Sequence, residues 1–155
     1  MSTISKLGGE KLTHLPKLIQ SVESRLQGWE DNIRIDGKNI ASANVEQPSW
    51  IAYYDQICVE MGTVLDYAEL LVKKVRAETM KKVKTSWGAD YTDSALQKVI
   101  DGSEGFIYQQ QIYLEVKELY DKCKSIVEAF KQRSYSLNNL VKIHEAEFQN
   151  LTIRL

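Results

Sequence analysis

The stretch Ile112–His144, IYLEVKELYDKCKSIVEAFKQRSYSLNNLVKIH, decides the fold. Ile112, Val116, Leu119, Cys123, Ile126, Phe130, Leu137, Leu140 and His144 fall at alternating steps of four and three, and Arg133 fills the slot between Phe130 and Leu137. A second row, Tyr113, Tyr120, Val127, Ser134, Val141 and Phe148, runs alongside at steps of seven. Two adjacent apolar rows on one helix make a stripe wider than a two-stranded coiled-coil seam needs. Neither Gly nor Pro follows Gly105. The pattern predicts one helix from about 105 to 149, roughly 65 Å long at 1.5 Å per residue. A rod of that length needs other helices to cover it, some of them expected from further copies of the chain.

Working upstream, Pro48 suits the first turn of a second long helix, because its fixed φ and missing N–H cost nothing there. Trp50, Tyr54, Ile57, Met61, Val64, Ala68, Leu71 and Val75 repeat the four-three rhythm, flanked by Ile51, Cys58, Leu65 and Val72. Gly62 interrupts this run without breaking it. An αL cap at Gly88 is expected to end the helix near Trp87. Matching stripes on the two long segments predict an all-α fold, a long antiparallel helical hairpin with coiled-coil-like packing. Thr92 or Asp93 can cap a short helix in the connection, holding Ala95, Leu96, Val99 and Ile100. Leu15–Ile33 reads as an N-terminal helix with Pro16 in its first turn. Met1–Thr13 reads as a loose arm. Ile33, Ile35 and Ile40 around Asp36-Gly37 suggest a turn between two short strands, followed by an extended linker from Ala41 to Gln47. The expected division is 1–47 for the arm, helix and linker, and 48–155 for the hairpin, with DNA binding and oligomerisation in the latter. The short apolar tail Leu151–Leu155 is expected to dock.

Composition narrows the function. The 155 residues carry 20 Lys and Arg against 21 Asp and Glu, so no general polyanion attraction is expected. There is no transmembrane run and no signal peptide, so no membrane association is expected. The two cysteines, Cys58 and Cys123, lie in apolar stripes and read as buried free thiols of a reducing compartment, which places the chain in the cytoplasm. Catalytic signatures are scarce. His14 and His144 lie far apart in sequence, and His144, on the seam, reads as a satisfied core histidine. No P-loop or Gly-rich dinucleotide turn occurs. A non-enzymatic protein without cofactor or metal is expected.

One segment carries local chemistry. Between residues 73 and 84 lie Lys73, Lys74, Arg76, Lys81, Lys82 and Lys84, against the single acid Glu78. At about 100° per residue, Lys73, Lys74, Lys81 and Lys84 share one quarter of the helix circumference. Arg76 borders that quarter and Lys82 lies outside it. The quarter lies opposite Val64, Ala68, Leu71 and Val75, so the helix can pack inward while its cations face outward. Trp87 and Tyr91 follow. Cations beside aromatics fit a single-stranded nucleic-acid site, the cations on phosphates and the rings under bases. A solvated face near a helix C-terminus, where Lys favours the macrodipole, gives the same pattern. In a closed ring the patches would repeat on one surface and bind by avidity. The self-association face expected from the stripe is Ile112, Val116, Leu119, Tyr120, Ile126, Val127, Phe130, Leu137 and Leu140.

Residues of roughly 33–150 resemble the UvsY-type recombination mediators of tailed phages. The resemblance runs through Ala95-Leu96-Gln97-Lys98-Val99-Ile100, Leu119-Tyr120-Asp121-Lys122-Cys123, Ala129–Leu137 and His144-Glu145-Ala146-Glu147-Phe148, with Ile35-Asp36-Gly37-Lys38 upstream. It implies a non-enzymatic helical protein that forms rings of six or more copies. Such a protein binds single-stranded DNA and helps load a RecA-class recombinase in place of the single-strand-binding protein. If the chain is phage-encoded, its compartment is the cytoplasm of the bacterial host cell. Lys73–Lys84 falls near the family's basic motif, matching in charge and not in residue order. It implies phosphate contacts from Lys73, Lys74, Lys81 and Lys84, support from Arg76 and Lys82, and stacking on Trp87. The helix before Ile33 is an addition relative to shorter members. The competing expectation is a helical adaptor, scaffold or assembly chaperone with no nucleic-acid role.

Overall fold

The computed structural model of the chain describes residues 15–87 and 92–152, with residue 87 and residues 149–152 described as backbone only. These residues form five helices and no strand: α1 Leu15–Leu26, α2 Trp29–Ile33, α3 Ile40–Trp87, α4 Asp93–Asp101 and α5 Glu104–Thr152. The fold is all-α, with α3 and α5 as its principal packing pair. The packing divides into two units, one of residues 15–59 with 122–152 and one of residues 60–87 with 92–121. Both long helices run through both units.

In the α1 unit, α1 buries Leu15, Val22 and Leu26, spaced seven and four apart on one face. The single helix expected over 15–33 is broken in two. Gly28 adopts φ 76°, a left-handed conformation that a residue with a Cβ avoids, and α2 starts directly after it.

The expected strand pair around Asp36-Gly37 is also overturned. The Asp36 carboxylate accepts the backbone N–H groups of Lys38 and Asn39 at 2.8 and 3.0 Å, and the Asn39 side-chain oxygen accepts the N–H of Asp36 at 2.8 Å. This reciprocal exchange satisfies N–H groups that a helix start leaves without partners, as a capping box does. The carbonyl of Asn39 then accepts from Ala43 at 2.7 Å, and α3 begins.

Residues 41–47 are therefore helix and not an extended linker, and Pro48 lies inside α3 instead of opening it. Pro48 and Asn44, whose carbonyl would have met the missing N–H, are both exposed, so the break in the hydrogen-bond ladder faces solvent. Tertiary bonds hold the segment helical. Ala43 and Gln47 are buried, and both bond to groups of α5.

Antiparallel pairing is visible in both units. In the α1 unit, Gln47 meets Ser134 at 2.8 Å, and about two turns further along α3 and one turn back along α5 Tyr54 stacks on Phe130 with centroids 4.9 Å apart. Buried Tyr54 also accepts a hydrogen bond from Asn32 Nδ2 at 3.0 Å, which ties α2 to α3. In the α4 unit, a Cβ placed on Gly62 would lie 3.3 Å from the Tyr120 ring, and one on Gly105 would lie 3.9 Å from Val75. Gly62 thus gives the Tyr120 ring its close approach to α3. Thr92 caps α4, its hydroxyl accepting from the N–H of Ala95 at 3.4 Å, and α4 buries Leu96 and Ile100. The expected cap at Gly88, the arm Met1–Thr13 and the side chains of the tail Leu151–Leu155, expected to dock, lie outside the described residues.

Candidate nucleic-acid interface

The basic segment occupies the end of α3, within the α4 unit. The last buried residue of α3 is Leu71. Beyond it the described side chains are exposed or half-buried, and the six cations from Lys73 to Lys84 are all exposed. Their surroundings sort them into two sets. Lys73 pairs with Glu69 at 2.6 Å and Lys74 with Glu78 at 3.9 Å, each one turn along the same helix. Arg76 reaches across to α4, with Nη2 3.6 Å from Asp101 Oδ1, and its guanidinium lies 5.7 Å from the Phe106 ring centroid of α5. Arg76 therefore links three helices, by charge on one side and by a cation–π contact on the other.

Lys81, Lys82 and Lys84 form the second set. Among the described residues none of the three has an acidic partner within salt-bridge distance. Lys82 points to the side on which α3 packs further back, the side that excluded it from the outward quarter. It is exposed because α3 has outrun its buried stripe there. The segment ends in the C-terminal turns of α3, where unpaired carbonyls favour cations. Thr85 Oγ1 donates to the Lys81 carbonyl at 2.8 Å. Trp87 is the last residue of α3; its side chain, like Tyr91 and the whole of His14, lies outside the described residues.

The stripe residues expected to join copies are placed differently. Val116, Leu119, Ile126, Val127, Phe130 and Leu137 are buried within a single copy, while Ile112, Tyr120 and Leu140 are half-buried. Arg133, the charged residue in the seam, is only 5 % exposed. Its Nε donates to the Ile33 carbonyl at the end of α2 at 2.9 Å, and its Nη1 donates to the Ala43 carbonyl at 3.4 Å and to Gln47 Oε1. Gln47 Nε2 in turn donates to the Phe130 carbonyl and to Ser134 Oγ. Burial pushes the guanidinium pKa down, and Glu46 opposes that shift. Sequence showed the charge in the slot but not the acceptors, which come from the end of α2 and the first turns of α3.

His144 does not sit in the core. Its side chain is exposed, its Nδ1 is 3.7 Å from Glu147, and its ring meets Phe148 edge-on. The first turns of α3, with Ile40, Ala41, Asn44 and Val45, line a groove with it and do not close over it. Cys123 is buried and Cys58 is half-buried. Burial pushes the Cys123 thiol up to about 11, and it raises Cys58 as well. Among the described residues no His, Cys, Asp and Glu set could hold a metal, and no helix is long and apolar enough to cross a membrane.

A groove absent from the sequence reading lies in the α1 unit. Its walls include Lys38, Val45, Val141, His144, Glu145 and Phe148. Comparison of the chain with protein families, with curated proteins and with solved structures finds no match.

Proposed function

We propose that this chain is a recombination mediator that binds single-stranded DNA as a homo-oligomer and helps load a RecA-class recombinase in place of the single-strand-binding protein. One observation carries the nucleic-acid half of this reading: Lys81, Lys82 and Lys84 stand exposed together at the end of α3, without an acidic partner among the described residues. Cations not already paired within the chain can neutralise phosphates and release counterions. The mediator half rests on the resemblance of residues 33–150 to the UvsY-type proteins. Lys73 and Lys74 are supporting contacts that exchange a carboxylate for a phosphate, and Arg76 orients the patch against α4. Repetition of the patch in an assembly would multiply a modest single-copy affinity.

Filter retention of a radiolabelled oligonucleotide tests the site. Charge reversal at Lys81 and Lys84 abolishes retention while far-UV circular dichroism stays unchanged. Retention equal to wild type contradicts the placement.

A second reading, a helical adaptor or assembly chaperone with no nucleic-acid role, draws support from the apolar groove of the α1 unit. The mass in solution separates the two. Six or more copies fit the mediator, and a monomer or dimer fits the adaptor.

A further inference from the structure

The seam that would have joined copies is largely buried within one chain, so self-association needs another surface. α5 supplies one. α3 begins at Ile40, and from Lys142 to Phe148 every side chain of α5 is exposed. On the side of α5 that lines a groove with the start of α3, Phe148 is 66 % exposed. Beside it, on the first turns of α3, Val45 is 79 % exposed, the most exposed of the large apolar residues described. Between them runs the groove lined by Ile40, Ala41, Val45, Val141 and Phe148, with a volume of about 590 Å³. Exposed apolar side chains from two helices that line one groove mark an interaction site.

The geometry points to a second copy of this chain as the occupant, its own α5 end (residues 142–148) lying in the groove. Three features favour this occupant over a foreign helix. First, the projecting segment and the groove share residues, so two copies present matching apolar surfaces to each other. Second, the rim carries one cation and one anion, Lys38 and Glu145. Neither has an opposite charge within salt-bridge distance among the described residues. Across two copies, Lys38 of one can meet Glu145 of the other. Third, further apolar residues, Leu151, Ile153 and Leu155, follow the groove in sequence, interleaved with Gln149, Asn150, Thr152 and Arg154. A self-matching contact of this kind closes on a pair of copies. The inference rests on the self-association in the mediator reading, whose larger ring would need a further surface between pairs, and it does not require DNA.

Sedimentation equilibrium of the full-length chain, with circular dichroism as the folding control, tests it. V45E/F148E weakens association by at least about tenfold, since two charges would enter an apolar contact. K38E alone and E145K alone each weaken it, because each places like charges opposite one another. An equimolar mixture of K38E and E145K regains the wild-type mass, because each cross-contact again pairs opposite charges. Wild-type mass in V45E/F148E, or a mixture no heavier than either variant alone, overturns the inference, as does a monomeric wild type. Filter retention by the same variants keeps the two proposals distinct. If V45E/F148E keeps its mass while K81E/K84E loses DNA, the groove is misassigned and the DNA site stands. If V45E/F148E loses mass while K81E/K84E retains DNA, the groove stands and the DNA site falls.

Discussion

Arg133 turns its guanidinium to carbonyls and an amide, not to a carboxylate, and it does so while buried. It ends α2, holds the first turns of α3 and sits on α5. Removing it leaves the Ile33 carbonyl and Gln47 Oε1 without a donor and opens a hole beside Phe130. R133A should therefore lose about 3 kcal/mol of unfolding free energy in a urea titration, since each orphaned buried acceptor costs roughly 1–3 kcal/mol. A loss below about 1 kcal/mol would show that solvent reaches these groups. Cys123 makes a pH prediction. Its thiol is held up to about 11 when folded, against an ordinary value of 9.0. The folded chain thus holds this proton more tightly than the unfolded chain. The contribution is complete below about pH 9 and is lost as the pH rises toward 11. C123A should flatten that part of the stability-versus-pH curve, and an unchanged slope would assign it to other groups. Nothing in the sequence placed Arg133's acceptors, because they come from α2 and α3, 86 to 100 residues upstream. The guanidinium itself was legible as an intruder in an apolar row.

The long helices and their pairing were legible because heptad spacing over many turns leaves few alternatives, and the cap of α4 was narrowed to Thr92 or Asp93, of which Thr92 serves. The boundaries that failed share a cause, which is local residues with two uses. Pro48 reads as a helix opener, yet Asp36 and Asn39 begin the helix earlier by trading hydrogen bonds. Asp36-Gly37 reads as a hairpin turn, but its carboxylate serves α3 instead. Gly28 was hidden inside a good amphipathic pattern until its positive φ broke the helix. Pro48 remains a cost within α3. P48A should stabilise the chain by about 2 kcal/mol in a thermal melt, because an exposed interior proline in a helix forfeits roughly 3 kcal/mol, part of which the rigid ring returns by restricting the unfolded chain. Destabilisation by P48A would mean that the proline meets a need of the fold. G28A should lose about 1 kcal/mol, since no neighbour lies within 4 Å of its Cβ and only the backbone conformation opposes the methyl group. For the candidate site, the charges were legible but their pairing was not. Glu69, Glu78 and Asp101 occupy three of the cations, and Asp101 comes from a different helix.

At the level of the whole molecule, the apolar stripe and the lysines have separate uses. The stripe holds the chain to itself, and Lys81, Lys82 and Lys84 are exposed at the end of α3, Lys81 and Lys84 on its outward quarter, where a phosphate backbone can reach them. Counterion release makes this distinction measurable, because the salt dependence of binding counts phosphates neutralised. The direct test is fluorescence anisotropy of a labelled single-stranded oligonucleotide titrated with the full-length chain at several salt concentrations. The three lysines predict that log K falls with log salt with a slope of about −2 for each copy engaged, at roughly −0.7 per phosphate on single strands. K81E/K84E should remove most of that slope together with the binding. A slope near zero, or a slope that K81E/K84E leaves intact, would contradict the claim that these lysines hold single-stranded DNA.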